Sequence, residues 1–244
     1  MKYEDKDGQR KPVWLSSYGI AMRAAGCLIS VHGDNKGLVL PFDLAPVQII
    51  IVPINASKDA AVVEKAKDLY NTLKQLGFRV EIDLSDKRPG EKFYYWELLG
   101  VPLRIEIGPR DVKTHSCVLV TRDDGKKQNV MYVDVFALLQ HIKGITAQMQ
   151  ERLSQRAEKD ANDAIVSADS MDELEKYIAQ GKVVKVPFCS VDSGGEACAD
   201  QIKDVCHASV LGTKVQDAER PDKSVKCIVC GKPAKHIVYV AKTY

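Results

Sequence analysis

The stretch Val47-Gln-Ile-Ile-Ile-Val52 decides the fold, because five of its six residues are apolar and they run without the alternation of a half-exposed strand. Such a run is typical of a strand that is buried on both faces. Apolar side chains then recur from Val62 to Leu76 at steps of four, three, four and three residues, which predicts an amphipathic helix ending at Gly77. Residues 80–84 alternate as a second strand. A strand, a helix and a second strand in this order indicate an α/β fold.

The same succession of strand and helix patterns continues to residue 142. The turn Lys87-Arg-Pro-Gly90 separates the second strand from the next predicted helix. Four further elements are predicted: a short helix over residues 91–99, strands over 103–107 and 117–120, and a helix from Val133 to Ile142. The order β-α-β-α-β-β-α predicts a mixed sheet covered by helices.

The segments on either side of this region have different patterns. Residues 1–45 are too short a segment to bury a core of their own, and we interpret them as the end of a larger domain. Residues 144–168 form a long predicted helix, because an apolar residue recurs at every fourth position. The capping sequence Ser170-Met-Asp-Glu173 starts another helix, and a strand over 183–188 leads into Cys189. The predicted domains are 1–45, 46–143 and 144–244.

The composition and the charge decide little about function. Apolar residues make up 45% of the 244 residues and charged residues 28%, which is ordinary for a globular protein. The net charge of +2 gives no case for nucleic-acid binding, although residues 87–127 carry nine basic and six acidic side chains. A local excess of this size belongs more often to a solvated face of mixed charge than to a phosphate-binding surface.

The sequence shows no pattern of membrane insertion or secretion. The longest apolar run, from Val47 to Ile54, contains Gln48 and Pro53 and is shorter than the roughly 18 residues of a membrane span. Residues 1–7 are strongly charged, unlike a signal peptide. We therefore expect a cytoplasmic protein without a membrane partner, whose seven cysteines stay reduced as metal ligands or core residues.

Four of the cysteines predict a metal site near the C-terminal end. Cys227-Ile-Val-Cys230 has the spacing of a metal-binding knuckle, and the glycine after it lets backbone N–H groups turn toward the sulfurs. Cys189 and Cys198 form a second pair across a polar excursion of eight residues. Four thiolates with no open position predict structural zinc. The alternatives are that these are core thiols or a degenerate site, or that Cys206-His207 supplies one ligand instead.

No motif of a hydrolase or of a phosphate-binding loop occurs in the sequence. The five histidines are scattered without a Gly-x-Ser-x-Gly or His-Glu-x-x-His arrangement. Arg23 lies one turn into an apolar helix, where a guanidinium can stand against a triphosphate. Taken alone, such an arginine is more often a solvated helix end.

Seven segments together resemble one known family in their order along the chain. They are Ser16-Ser-Tyr-Gly-Ile-Ala-Met-Arg23, His32-Gly-Asp-Asn-Lys-Gly-Leu-Val-Leu-Pro41, Ala45-Pro-Val-Gln-Ile-Ile-Ile-Val-Pro53, Lys92-Phe-Tyr-Tyr-Trp-Glu97, Gly100-Val-Pro-Leu-Arg-Ile-Glu-Ile-Gly-Pro-Arg-Asp111, Pro187-Phe-Cys189 and Cys227-Ile-Val-Cys230-Gly231. The succession covers about residues 12–244. It resembles the C-terminal portion of prolyl-tRNA synthetases of the archaeal and eukaryotic-like class II type.

The resemblance implies an α/β fold and a set of tRNA-binding residues. It implies a mixed five-stranded sheet with flanking helices, the anticodon-binding fold of class II synthetases, followed by a small α+β zinc-binding domain. A glutamate can accept hydrogen bonds from the imino and amino groups of guanine, an arginine can reach guanine acceptors or phosphates, and aromatic side chains can stack on bases. Anticodon binding is implied for Lys92, Glu97, Arg104, Glu106 and Arg110, with stacking faces offered by Phe93, Tyr94, Tyr95 and Trp96.

The resemblance also implies an ATP contact and a zinc site. Arg23 matches the arginine that contacts ATP phosphates, while Ala21 stands where relatives can have a hydroxyl residue in contact with ATP. The carboxylate of Tyr244 is expected to pack back toward the catalytic domain. The zinc ligands are implied to be Cys189, Cys198, Cys227 and Cys230, and the loop between the first two is longer than usual in the family.

The function implied by the resemblance is that of a proline–tRNA ligase. The whole enzyme attaches proline to its tRNA through a prolyl-adenylate, with ATP and magnesium, and is expected to be a homodimer. Motifs 1 and 2 of class II synthetases do not occur in this chain, so we expect a fragment that binds tRNA without activating proline. The alternative is a non-catalytic tRNA-binding accessory protein built on the same anticodon-binding domain.

Overall fold

The computed structural model describes residues 2–13, 15–131, 134–216, 219–222 and 224–243, with Pro12 described by its backbone alone. The chain divides into two compact units, Met1–Leu153 and Ser154–Tyr244. The three-domain division at residues 45 and 143 stays a prediction. None of the described helices is both long and apolar enough to cross a membrane.

The first unit is built on a mixed five-stranded sheet. Its elements in chain order are β1 (Lys2–Glu4), β2 (Arg10–Pro12), α1 (Arg23–His32), β3 (Ile49–Pro53), α2 (Ala60–Gln75), β4 (Val80–Ile82), α3 (Pro89–Leu98), β5 (Leu103–Ile107), α4 (Pro109–Thr114), β6 (Ser116–Thr121), β7 (Lys127–Met131) and the first part of α5 (Val135–Ala164). The sheet has the order β4-β3-β5-β6-β7, and β1 pairs only with β2. β3 is parallel to β4 and β5, whereas β6 pairs antiparallel with β5 and β7. The predicted mixed five-stranded sheet with helices is thereby confirmed.

The two faces of this sheet carry different helices, because side chains alternate along each strand. On one face, Ile49 and Ile51 of β3 pack with α2 and α5 in the main core. Four of the five apolar positions predicted for α2 are buried, namely Val62, Ala66, Leu69 and Leu73, whereas Leu76 follows the end of the helix and is exposed. On the other face, Ile50 and Val52 pack against side chains of α3. One face of the sheet therefore packs into the main apolar core, and the other face is covered by α3.

Four short elements of the first unit were missed by the sequence patterns: β1, β2, β7 and α4. β7 begins with Lys127-Gln-Asn and buries only Val130, so it lacks the apolar signal of a strand and is recognised only by its pairing with β6. α4 has six residues, too few for a helical period, and begins at Pro109 with the Asp111 carboxylate accepting from the Gly108 N–H at 2.8 Å.

The helices predicted as separate segments over 133–142 and 144–168 are one helix of 30 residues, α5. Gly144 does not end it, because the buried stripe continues through Ile142, Ile145 and Met149. The helix stops at Ala164, earlier than predicted, since residues 165–167 form a strand of the second unit. Val133, the predicted start of the first segment, lies outside the described residues.

A close backbone approach joins the chain before β3 to the end of α3. Gly100 has a φ of 73°, and a Cβ on it would lie 2.6 Å from the Leu38 Cβ and 2.7 Å from the Leu38 carbonyl oxygen. Gly125 has a similar φ of 65° but open space around it. Alanine substitutions at Gly100 and Gly125 therefore separate the energetic cost of a left-handed backbone, which both share, from the cost of steric crowding, which arises only at Gly100.

We expect Gly100→Ala to destabilise the first unit clearly more than Gly125→Ala does. A left-handed alanine costs about 1–2 kcal/mol at either position, and overpacking at Gly100 adds about 1–3 kcal/mol. Urea unfolding followed by tryptophan fluorescence measures both, because Trp96 packs against the sheet of the first unit. Equal losses for the two variants would show that Leu38 does not pack against Gly100.

The second unit is a four-stranded sheet with two helices. Its elements are the end of α5, β8 (Ile165–Ser167), α6 (Met171–Ala179), β9 (Val183–Phe188), α7 (Glu196–Cys206), β10 (Ser209–Gly212) and β11 (His236–Ala241), with a short 3-10 turn at Ser193–Gly195. The strand order is β10-β11-β9-β8, in which only the β8–β9 pair is parallel. The predicted cap of α6 is present, since the Ser170 hydroxyl accepts from the Glu173 N–H at 3.3 Å. Three cysteines of the predicted metal site, Cys189, Cys198 and Cys227, belong to the core of this unit.

Candidate nucleic-acid interface and metal centre

The outer face of the five-stranded sheet carries charged side chains beside apolar ones. In the parallel β3–β5 pair, Arg104 lies opposite Ile50 and Glu106 lies opposite Val52, so strand alternation sends both charges toward α3. α3 packs above them with Phe93 and Trp96 turned to the apolar cluster of that face. Glu97 of α3 and the two predicted residues of β5, Arg104 and Glu106, are thus brought to one surface.

Three of these residues form a chain of ion pairs with Arg104 at its centre. Arg104 Nη1 donates to Glu97 Oε1 at 3.1 Å, and Arg104 Nε donates to Glu106 Oε1 at 3.0 Å. The Lys127 ammonium lies 3.3 Å from Glu106 Oε2, and the Arg104 guanidinium stacks 4.1 Å from the Phe93 ring centre. Arg104 is only 7% exposed. Its guanidinium is therefore fixed in direction by two carboxylates and an aromatic ring.

The exposed part of this surface consists of one carboxylate and several aromatic and basic groups. The Glu97 side chain keeps 23% of its surface exposed, while its Oε1 accepts from Arg104. Tyr94 is 73% exposed and Tyr95 is about half exposed, so two of the four aromatic residues predicted to stack present their rings to solvent. Arg110 is exposed at the start of α4, directly after β5. Exposed rings beside directed charged groups suit a single-stranded nucleic acid.

Lys92 occupies a different environment from the other predicted anticodon-binding residues. It is 3% exposed, and its ammonium donates to the Asp83 carbonyl at 3.0 Å and lies 3.7 Å from the Asp83 carboxylate. Asp83 also accepts from Trp96 Nε1 at 2.9 Å. Lys92 thus supports the loop between β4 and α3, and its contact with the anticodon stays a prediction.

Lys127 is a charged member of this surface that sequence reasoning did not single out. It is the first residue of β7, the strand without an apolar pattern. The one signal that points to it is the antiparallel hairpin turn at residues 123–126, which brings the next residue back alongside β6, where Lys127 pairs with Val120.

Ala21 and Arg23 lie at the start of α1, away from any apolar core. Arg23 is the first residue of α1, a helix without a buried residue, and both side chains are exposed. The neighbouring Tyr18, Ile20 and Met22 are almost fully exposed. Neighbouring exposed apolar side chains of this kind are typical of an interaction surface.

The four predicted cysteine ligands converge on one point of the second unit. Their sulfurs lie within 4.8 Å of one another, and the Cys189 and Cys198 sulfurs are 3.7 Å apart. A tetrahedral zinc with bonds of about 2.3 Å separates its sulfurs by about 3.8 Å, so the spacing fits. Among the described residues, this is the only such metal-ligating group, and neither Cys206 nor His207 belongs to it.

Each pair of cysteines is placed by local backbone structure. Cys189 directly follows β9, and Cys198 lies in the first turns of α7. The knuckle of the second pair is closed by hydrogen bonds from the Gly231 N–H to the Cys227 carbonyl at 3.0 Å and from the Cys227 N–H to the Lys232 carbonyl at 2.7 Å. Gly231 has a φ of 69°, as the predicted turn requires.

The thiols of this cluster differ in how readily they ionise. Burial raises the pKa of Cys198 to about 12 and also raises the pKa of Cys189. A backbone hydrogen bond at Lys232 lowers the pKa of Cys230 to about 7. Without a cation, four thiolates cannot gather here, because burial and mutual repulsion oppose ionisation. A zinc ion would supply the charge that holds them as thiolates.

Comparisons with known proteins agree for the two units. Residues 48–142 match the family model described as anticodon binding domain, and residues 171–244 match the one described as prolyl-tRNA synthetase, C-terminal. The chain is 43% identical over 236 residues to a proline–tRNA ligase of Nanoarchaeum equitans, covering 96% of the chain and 42% of the relative. It is 41% identical over 245 residues to one of Thermofilum pendens, covering 98% of the chain and 49% of the relative.

A solved structure covers the same extent. A Giardia lamblia prolyl-tRNA synthetase in complex with prolyl-adenylate matches with a TM-score of 0.80 and 32% identity, over 100% of this chain and 51% of that one. The chain thus spans about half the length of the relatives it matches.

Proposed function

Because the chain corresponds over its whole length to the C-terminal part of prolyl-tRNA synthetases, we propose that it is the tRNA-selecting part of a proline–tRNA ligase. The whole protein attaches proline to its tRNA through a prolyl-adenylate, with ATP and magnesium, as a cytoplasmic homodimer. The chain by itself binds proline tRNA without activating proline.

The observation that carries this proposal is the Glu97–Arg104–Glu106 chain on a domain that matches an anticodon-binding family. Glu97 offers an acceptor to the imino and amino hydrogens of a guanine, and Arg104 offers donors to guanine acceptors or to a phosphate. Tyr94 and Tyr95 supply stacking faces.

Selectivity follows from the burial of these charges. A guanine can give further hydrogen-bond partners to both Glu97 and Arg104, whereas a base with a different edge desolvates one of these groups without meeting its remaining donors or acceptors. Glu106 and Lys92 act beneath the contact surface in this proposal: Glu106 orients Arg104, and Lys92 orients the loop before α3. Arg110 and Lys127 lie where they can neutralise anticodon-loop phosphates.

We assign residues 1–45 to the end of the catalytic domain. The exposed apolar side chains around Met22 support this assignment, since a larger domain would cover them. Arg23 then contacts ATP phosphates, while Ala21 cannot supply a hydroxyl contact. A tRNA-binding module would need neither an ATP contact nor the end of a catalytic domain, which disfavours the accessory-protein alternative. The relatives of the chain are also named proline–tRNA ligases.

The cysteine cluster is assigned a single structural zinc. All four positions of a tetrahedral ion are taken by cysteine, so no position remains for water or a substrate. The ion would fasten the end of β9, the start of α7 and the Cys227–Gly231 turn together. The predicted packing of Tyr244 lies outside the described residues.

The ligase assignment is tested on the protein that contains this chain together with the sequence encoded upstream of Met1. We expect that protein to carry class II motifs 1 and 2 and to catalyse proline-dependent exchange of pyrophosphate into ATP, while the chain alone shows none. A stop codon directly upstream, with no exchange activity, would instead support the accessory protein.

A further inference from the structure

Arg122 is a buried arginine whose carboxylate partner, Asp34, lies 88 residues earlier in the sequence. It directly follows β6, and its side chain is 2% exposed. Its Nη1 and Nη2 donate to the two carboxylate oxygens of Asp34 at 2.9 and 2.7 Å, and its Nε donates to the Glu97 carbonyl at 2.8 Å. The arginine thus holds the loop after α1 and the end of α3 at the same time.

The loop that carries Asp34 is itself fixed to the end of α3. Asp34 and Gly37 exchange two backbone hydrogen bonds of 3.1 Å, and the Leu38 N–H donates to the Leu98 carbonyl at 3.1 Å. A Cβ on Gly37 would lie 2.6 Å from the Leu98 backbone, so the two segments touch without space between them. The last turn of α3 therefore has its position set from outside the helix.

Glu97 stands in that last turn, between two arginines. Its backbone carbonyl accepts from Arg122, and its carboxylate accepts from Arg104. The Glu97 carbonyl also accepts from the Gly100 N–H at 3.0 Å, so a backbone donor and Arg122 hold it together, and carbonyls at a helix C-terminus fray unless groups beyond the helix bind them. Arg122 is the side-chain donor to this carbonyl, and it ties the backbone from which the Glu97 side chain starts to Asp34.

We propose that Asp34 and Arg122 are positioning residues for anticodon recognition, which hold the last turn of α3 so that Glu97 meets its base. This inference rests on the proposed function. Asp34 lies outside the segment that matches the anticodon-binding family, residues 48–142, so the loop after α1 becomes part of the apparatus that reads the tRNA.

The Asp34 carboxylate stays charged at the pH of a binding experiment. The hydrogen bonds from Arg122 hold the pKa of the Asp34 carboxyl well below its usual range. A change in binding between neutral pH values therefore does not arise from titration of Asp34.

The test is the ratio of dissociation constants of this chain for a proline tRNA transcript with a changed anticodon and for the native transcript. Asp34→Ala and Arg122→Lys are expected to lower this ratio about tenfold, the effect of losing a hydrogen bond to a charged group. Affinity for the changed transcript is expected to stay the same. Asp34→Asn should give an intermediate ratio, because its amide oxygen still accepts from one Arg122 N–H.

Arg79→Lys is the matched control. Arg79 also ties the chain before the sheet to the sheet, with Nε donating to the Ala45 carbonyl at 2.9 Å and Nη2 to the Asp43 carbonyl at 2.7 Å, and neither of these partners belongs to α3. We expect its ratio to equal that of the unmodified chain. In the double variant Asp34→Ala/Glu97→Gln, the ratio should be no lower than in Glu97→Gln alone, because Asp34 acts through Glu97.

Two outcomes would overturn the inference. Folded Asp34 and Arg122 variants with an unchanged ratio, or a strictly additive double variant, would make Arg122 a structural residue only, while the proposed function would stand. An unmodified chain with a ratio of one would contradict both. If Arg122→Lys does not fold, the ratio is measured for Asp34→Asn instead, because Asp34 is the more exposed residue of the pair.

Discussion

Replacing Cys227 by serine is expected to empty the metal site and to unfold the second unit, Ser154–Tyr244, while the first unit stays folded. Cys189, Cys198 and Cys227 are buried in the core of that unit, so the metal and the core form together. Zinc binding by four cysteines is worth about 10–16 kcal/mol in small zinc domains, whereas a whole domain is stable by about 5–15 kcal/mol. The binding free energy lost with the ion is therefore as large as the whole free energy of unfolding expected for a unit of this size.

Metal analysis and limited proteolysis measure this effect. The unmodified chain should contain about one zinc per chain, and protease should leave it intact until a chelator removes the metal. In Cys227→Ser, zinc should fall close to zero and cleavage should begin within Ser154–Tyr244. Cys27→Ser, at an exposed cysteine of α1, is the control and should keep its zinc.

Cys206→Ser separates the two ligand sets that the sequence left open. Cys206 is buried in the same unit but stands apart from the four converging sulfurs, so its replacement should leave the zinc content unchanged. Loss of zinc from Cys206→Ser, together with retention in Cys198→Ser, would replace the assigned set by one that includes Cys206.

Replacing Glu97 by glutamine is expected to remove most of the anticodon preference without unfolding the chain. The amide has the shape of the carboxylate, and its oxygen can still accept from Arg104. Its NH₂ group, however, is a hydrogen-bond donor and cannot accept from the N–H groups of a guanine. One well-formed base contact is worth about 1–3 kcal/mol, so affinity for the native transcript should fall about 30-fold.

The control and the salt dependence distinguish base recognition from charge. Lys67→Gln removes a charge on α2, on the opposite face of the sheet, and should change binding of native and altered transcripts equally. Glu97→Gln removes a negative charge, so a purely electrostatic surface would bind every tRNA more tightly after the change. Tighter binding of both transcripts would refute the role of Glu97 in reading a base.

Local patterns were sufficient for the parts of the fold that repeat a period. β3 has its apolar run, and α2 buries Val62, Ala66 and Leu69 where the spacing predicts. β7 and α4 could not be predicted in the same way, because an edge strand with one buried residue and a six-residue helix have no period to read. The continuity of α5 through Gly144 is decided by tertiary packing, which overrides the cost of a glycine in a helix.

The candidate sites show the same difference between local and long-range information. Strand alternation already places Arg104 and Glu106 on one face, and the paired cysteine spacings already predict convergence. The burial of Lys92 depends on Asp83 in a preceding loop, and the partner of Arg122 lies 88 residues earlier. Contacts of this kind follow from tertiary structure, which a single sequence does not display.

The most direct test of anticodon reading by this chain is equilibrium filter binding of the unmodified chain to native proline tRNA and to a transcript with its anticodon guanines replaced. We predict at least about tenfold tighter binding of the native transcript, since a single good base contact is worth at least about 1 kcal/mol and two bases are changed. The preference should persist as added salt weakens the binding of both transcripts. Equal affinity for the two transcripts at every salt concentration would contradict base reading, and would leave the Glu97–Arg104 surface as a site of phosphate contact alone.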